Sequence, residues 1–235
     1  MTSAPVPATE TGLDPEEHRL HELGAVSWRR VIDEPWLRRE GRRWTMWTVA
    51  IAVTFLVPGI ALLIIEPFTF PVALMSFAHG WVIPELYARR GVNPIKPLPV
   101  RPGAPGEQAE TTALGLLGDL VDHGTRDLAR ETGLARHPGR FGVWLVGEAG
   151  ALLVRRDGRR VDCWCVRAAK PYELPRADRI SHLLLALRED ERGFATVANL
   201  SFSGAPWRVR RRMPKEMRPA LDAAKAEARA MNDAA

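Results

Sequence analysis

The sequence predicts a two-helix transmembrane hairpin plus a small cytoplasmic α+β domain with an antiparallel sheet, and three observations lead there. Residues 44–65 and 67–84 are apolar runs without a formal charge, separated only by Glu66. Arginines crowd the outer ends of both runs and are missing between them. Further on, short apolar runs punctuated by Asp157-Gly158 lie between segments with a helical apolar stripe, the pattern of a meander packed on helices.

The first 12 residues, rich in proline and small side chains, read as a disordered tail. Residues 13–43 read as an amphipathic juxtamembrane segment. Asp14, Pro15 and Glu17 give a capped helix start running to Arg30, and Val31, Ile32, Trp36 and Leu37 extend the apolar content. Six arginines against Asp33, Glu34 and Glu40 between Val26 and Arg43 fit a segment lying on a membrane surface, or a helix packed on the soluble domain.

The hairpin is assigned to 44–88. Twenty-two residues at about 1.5 Å each make roughly 33 Å of helix, enough to cross a bilayer, and the 18-residue second run is short but sufficient. Glu66 and Pro67 form the turn, because a carboxylate at mid-membrane costs several kcal/mol. Trp44 and Trp47 open the first run, and Trp81 and Tyr87 close the second, as an aromatic belt would. Arg38, Arg39, Arg42 and Arg43 before it, with Arg89, Arg90, Lys96 and Arg101 after it, place both termini in the cytoplasm of a plasma or inner membrane. The apolar run starts too far into the chain and is too long for a secretory signal. Pro58 predicts a kink. His79 is the titratable group inside the second run and hence a candidate intramembrane polar site.

Residues 89–106 hold five prolines and predict a stiff connector that lifts the domain off the bilayer. The domain is assigned to 107–213. Its expected elements are a helix over 108–122 ended by Gly124, a helix capped by Thr125 and stopped by Gly133, and strands over 141–146, 151–156 and 159–166. A helix capped by Asp178 and ended by Gly193 follows, then strands over 194–202 and 207–212. Residues 214–235 give an alanine-rich helix with a thin apolar face (Met217, Leu221, Ala224, Ala228, Met231), which calls for a partner helix or self-association. The helix pair before residue 135 has a helix-turn-helix cadence, but Pro138 and a strand follow where a recognition helix should start.

The net charge of +5 sits largely beside the membrane segments, so no nucleic acid is expected. Arginine- and alanine-heavy usage is compatible with a GC-rich bacterial genome. Trp207, Arg208, Arg210, Arg211, Arg212 and Lys215, with Arg218, form the best candidate for anionic membrane lipid or a protein partner. Cys163 and Cys165 share one strand face and are weak metal candidates with His123, His137 or His182; Cys163 or Cys165 with His182 is a weak nucleophile pair. Glu148, Asp162 and His182 are polar groups that a fold could gather. The glycines of 147–150 lead into a strand rather than a helix, so they mark a turn and not a phosphate loop. No cofactor is expected. The leading reading is a membrane-anchored adaptor or regulatory protein, with a protein partner or a second copy of itself. The alternatives are a membrane-associated enzyme of lipid or envelope metabolism, or a small transporter subunit.

Overall fold

The computed structural model describes residues 31–99, 103–168 and 171–234. The helix expected over 14–30 lies outside them. The first element, α1 (Glu34–Ile65), is one unbroken helix of 32 residues that runs through Pro58. Asp33 caps it, its carboxylate accepting from the Trp36 amide at 2.7 Å, and Pro35 suits the first turn. Glu66 ends it and a 3-10 turn, Pro67–Thr69, reverses the chain where the sequence placed the turn. Thr69 Oγ1 donates to the carbonyls of Glu66 (2.6 Å) and Leu62 (3.0 Å), which closes the tip.

α2 (Phe70–Val92) returns antiparallel along α1. Ser76 donates to the Phe55 carbonyl at 2.7 Å and the Trp47 and Tyr87 rings meet at 4.5 Å, so contacts advance on one helix as they retreat on the other. A Cβ on Gly59 would lie 2.4 Å from the Phe77 ring, so the seam needs glycine there. Among the described residues α1 is the one helix long and apolar enough to cross a membrane, and only 6% of its apolar window is buried. Pro71, His79, Pro84 and Glu85 dilute α2, which falls short of that measure.

The rest of the chain builds a three-layer α+β body. Helices α3 (Glu107–Leu120) and α4 (His123–Thr132) precede strands β1 (Ala135–Pro138), β2 (Gly142–Val146), β3 (Gly150–Arg155) and β4 (Val161–Cys165). α5 (Arg176–Glu189), α6 (Glu191–Val197), β5 (Asn199–Gly204), α7 (Pro206–Arg212) and α8 (Arg218–Asp233) complete it. The five strands form an antiparallel meander in the order β1-β2-β3-β4-β5, with a bulge between Cys163 and Trp164. Gly158, at φ 64°, supplies the hairpin turn expected between β3 and β4.

Register splits the side chains cleanly. Trp144 pairs with Leu153 and Ala151 with Trp164 on one face; Leu145 pairs with Leu152, and Leu152 with Cys163, on the other. The first face is covered by α3, α5, α6 and the start of α1, with Trp144, Trp164, Ile180, Leu184 and Phe194 at its centre. The second is covered by the foot of α2, by α7 and by α8, through Ala88, Val92, Ile95, Val209, Leu221 and Ala224. Burial on both faces explains why β2 and β3 are nearly continuous apolar runs.

Several sequence expectations need correction. The strand expected over 194–202 is the helix α6 followed by β5: Asp190 ends α5, accepts from the Gly193 amide at 2.8 Å and starts a new helix, so Gly193 lies inside a helix. The strand expected over 207–212 is α7, because four alternating residues fit either period and Pro206 opens a helix. Asp122, not Thr125, caps α4, and α3 stops before Gly124. Asp178 lies in the first turn of α5; the cap is tertiary, with Glu110 accepting from the amides of Arg176 (2.7 Å) and Ala177 (3.2 Å). β1 went unforeseen. The C-terminal helix has its partner in its own sheet, where Ala220, Leu221, Ala224 and Ala228 are buried. The connector does not lift the domain away: Pro94 and Ile95 are buried, and the Leu98 amide donates to Glu148 at 3.2 Å.

Candidate functional site at the foot of the hairpin

The foot of the hairpin is where apolar helices, basic residues and the sheet meet. Ile32 and Leu37 are buried in the first-face core, and the Trp36 ring lies 6.3 Å from that of Trp164. Residues 32–37 therefore pack on the domain rather than lying free on a surface. Asp162, fully buried on β4, is held by Arg155 through Nε (2.6 Å) and Nη2 (3.1 Å), and Arg155 Nη2 also donates to the Leu37 carbonyl. Arg160 reaches Ser203 (3.2 Å) and Thr45 (2.5 Å). On α2, Glu85 is buried and pairs with Arg212 Nε at 2.5 Å. These contacts tie α1 to the sheet and its β3–β4 turn, and α2 to α7.

Of the predicted basic cluster, α7 gathers most members but gives them different tasks. Arg210 forks onto Asp222 of α8 (2.9 Å at the shortest), which holds the Asp222 carboxyl below the usual carboxylate range. Arg212 is taken by Glu85, and Arg218 Nε donates to the Met213 carbonyl at 3.3 Å. Lys215 is exposed in the 3-10 turn before α8. Arg208 and Arg211 lie over indole rings instead of carboxylates, Arg208 5.3 Å from the Trp207 centroid and Arg211 5.9 Å from that of Trp81. Trp207 and Trp81 are both more than half exposed. Between them runs a groove of about 300 Å³, lined by Ala52, Leu56, Phe77, Trp81, Trp207 and Arg208 among others. Its lining is mostly apolar, with Arg208 and the Arg212-paired Glu85 as its charged members.

His79 is exposed on α2; its Nδ1 donates to the Met75 carbonyl at 2.7 Å, and its ring stacks on Phe55 at 5.6 Å. Cys163 is fully buried against the second-face core, and burial pushes its thiol well above the usual range. His182 is exposed on α5, which covers the opposite face, so the sheet stands between the two. His137 is half-buried on β1 across from Trp144, and burial together with Arg188 lowers its pKa. Among the described residues no three His, Cys, Asp or Glu side chains converge as a metal-holding group.

Glu148 is gathered with partners the sequence did not reveal. It accepts from Arg179 at 2.6 Å, pairs with Arg176 at 2.5 Å and holds the connector at Leu98. Arg179 also donates to the carbonyls of Leu174 (2.9 Å) and Pro171. No local spacing marks these partners, since Arg176 and Arg179 lie 28 and 31 residues along the chain from Glu148. Glu191 is a second such residue, accepting from Arg140 (2.6 Å), Phe141 (3.1 Å) and Trp144 Nε1 (2.6 Å).

The fold and the site define a class: an α+β domain of five antiparallel strands joined directly to a helix of membrane length. Compared with known proteins, the chain matches no family model, no curated protein and no solved structure.

Proposed function

We propose that this protein is a two-pass membrane-anchored adaptor or regulatory protein whose cytoplasmic α+β domain binds a protein partner at the membrane surface and contacts anionic lipid through α7. The observation that carries this reading is the continuity of α1. Its first turns pack one side, through Trp36 and Leu37, on the domain core, and its last turns bare apolar side chains such as Ile60, Ile64 and Ile65. A domain joined this way is held close to the bilayer in a set orientation, with no flexible tether between them. Trp81, Trp207, Arg208 and Arg211 then sit at headgroup depth, where indoles and arginines are favoured. The outer helix layer leaves Leu116 and Leu185 exposed for a partner.

Topology is tested by thiol labelling of intact cells, in a full-length background with both native cysteines replaced by alanine. Phe68→Cys, at the 93% exposed hairpin tip, reacts with an impermeant maleimide, and Asn232→Cys reacts only after permeabilisation. Labelling of both sites in intact cells overturns the second crossing; labelling of Asn232→Cys with Phe68→Cys protected overturns the orientation, and protection of both overturns the crossing of α1. Crosslinking in native membranes then identifies the partner, and Arg208→Glu with Arg211→Glu lowers retained anionic lipid several-fold.

A further inference from the structure

A second cavity opens beside the hairpin foot, separate from the α7 groove. It has a volume of about 280 Å³ and is lined by Glu40, Arg43, Trp44, Trp47 and Tyr87. The three rings meet pairwise at steep angles: 65° for Trp44–Trp47, 75° for Trp44–Tyr87 and 69° for Trp47–Tyr87. Aromatic faces carry a negative quadrupole, so a cavity walled by three rings can attract an organic cation. Trp44 is braced from behind by Phe202 of β5, with ring centroids 5.7 Å apart, so this wall is set by the sheet.

Glu40 adds the second cue. Its side chain is only 21% exposed, and its ion-pair partner among the described residues, Arg43, stands 3.6 Å away, beyond hydrogen-bond reach. A carboxylate partly screened from water in this way gains from a cation placed beside it. Arg43 is 80% exposed and free to turn outward. A carboxylate and three rings on the inside, with a guanidinium at the rim, match a ligand that is cationic at one end and anionic next to it.

We propose that this cavity holds the headgroup of a zwitterionic phospholipid, its alkylammonium against Trp44, Trp47, Tyr87 and Glu40 and its phosphate on Arg43. Lipid is the source because Trp44 opens the first apolar run and Tyr87 follows the second, which puts the corner at headgroup depth. That placement rests on the membrane reading given above. General aromatic anchoring at an interface would be indifferent to the headgroup and to Glu40, and this site is not.

The test uses the full chain in maltoside detergent, which carries neither ammonium nor phosphate. Titration with phosphocholine, followed by tryptophan fluorescence, saturates for the native protein. Glu40→Gln, which keeps the side-chain shape, and Trp47→Leu each weaken it at least tenfold, whereas Tyr87→Phe retains it. In a second arm, protein reconstituted in nanodiscs of mixed zwitterionic and anionic lipid is extracted gently, and mass spectrometry shows zwitterionic lipid retained by the native chain and lost in Glu40→Gln. Absence of saturation, or equal binding by Glu40→Gln, overturns the site. Phosphocholine binding without preferential retention of zwitterionic lipid overturns the lipid source. Carbonate washing of membranes reports anchoring separately, so failure of the membrane reading is seen independently of headgroup binding.

Discussion

The two faces of the sheet are built on different plans. The first is filled with bulk: Trp144 and Trp164 lie 6.4 Å apart, Phe194 meets Trp144 edge-on at 5.7 Å, and leucines of α5 close the layer. The helices over the second present small residues to it. Ala88, Ala220, Ala224 and Ala228 bring helices near the strands, and a Cβ on Gly91 would lie 2.2 Å from Phe202 Cβ. The difference follows from what each face must hold. α5 turns Ile180, Leu183, Leu184 and Leu187 to the first, so large side chains fill that layer. The foot of α2 and the C-terminal helix share the second, and the alanines they turn inward let both fit.

The largest effect should come from emptying the first face. Trp144→Ala removes a fully buried indole and one of the three donors to Glu191, at a cost of about 3–5 kcal/mol, read as a lowered unfolding midpoint of the detergent-solubilised protein. Crowding the second face should cost less. Gly91→Val overpacks by about 1–3 kcal/mol, and because the obstruction is Phe202 Cβ, Phe202→Leu does not relieve it. Its signature is proteolytic cleavage near residues 93–96, between the hairpin foot and the sheet. A midpoint unchanged by Gly91→Val would show that the second face is loose and that the two plans are not distinct.

The smallest effect sharpens the comparison at the rim of the first face. His137 has its pKa lowered by burial and by Arg188, so the folded state favours the neutral ring. Its contribution is full above the unfolded value of about 6.5 and is lost as pH falls from there through the folded value. Stability should therefore decline on mild acidification, and His137→Asn should flatten that slope in thermal unfolding between about pH 7 and 5.

Much of this was legible in local pattern. The turn at Glu66-Pro67, the αL stop at Gly133, the Asp157-Gly158 hairpin and the apolar stripe of α5 each rest on a few neighbouring residues whose backbone preferences agree. The misreadings share a cause. Residues 194–202 and 207–212 are short apolar-polar runs that suit either period, and Asp190 and Pro206 decide between them as helix starts. Of the candidate site, the arginines and tryptophans of α7 were visible, but not their division into those neutralised by Asp222 and Glu85 and those left on indoles.

By itself the sequence determined the apolar runs, the basic flanks and an antiparallel meander with helices, because burial, charge and turn chemistry act over a few residues. Tertiary structure alone decided that the hairpin packs on the sheet, that Glu110 caps a helix 66 residues away, and that Glu40 shares a cavity with three rings. Those depend on which distant surfaces complement one another in shape and charge. Such complementarity leaves no periodic mark along the chain.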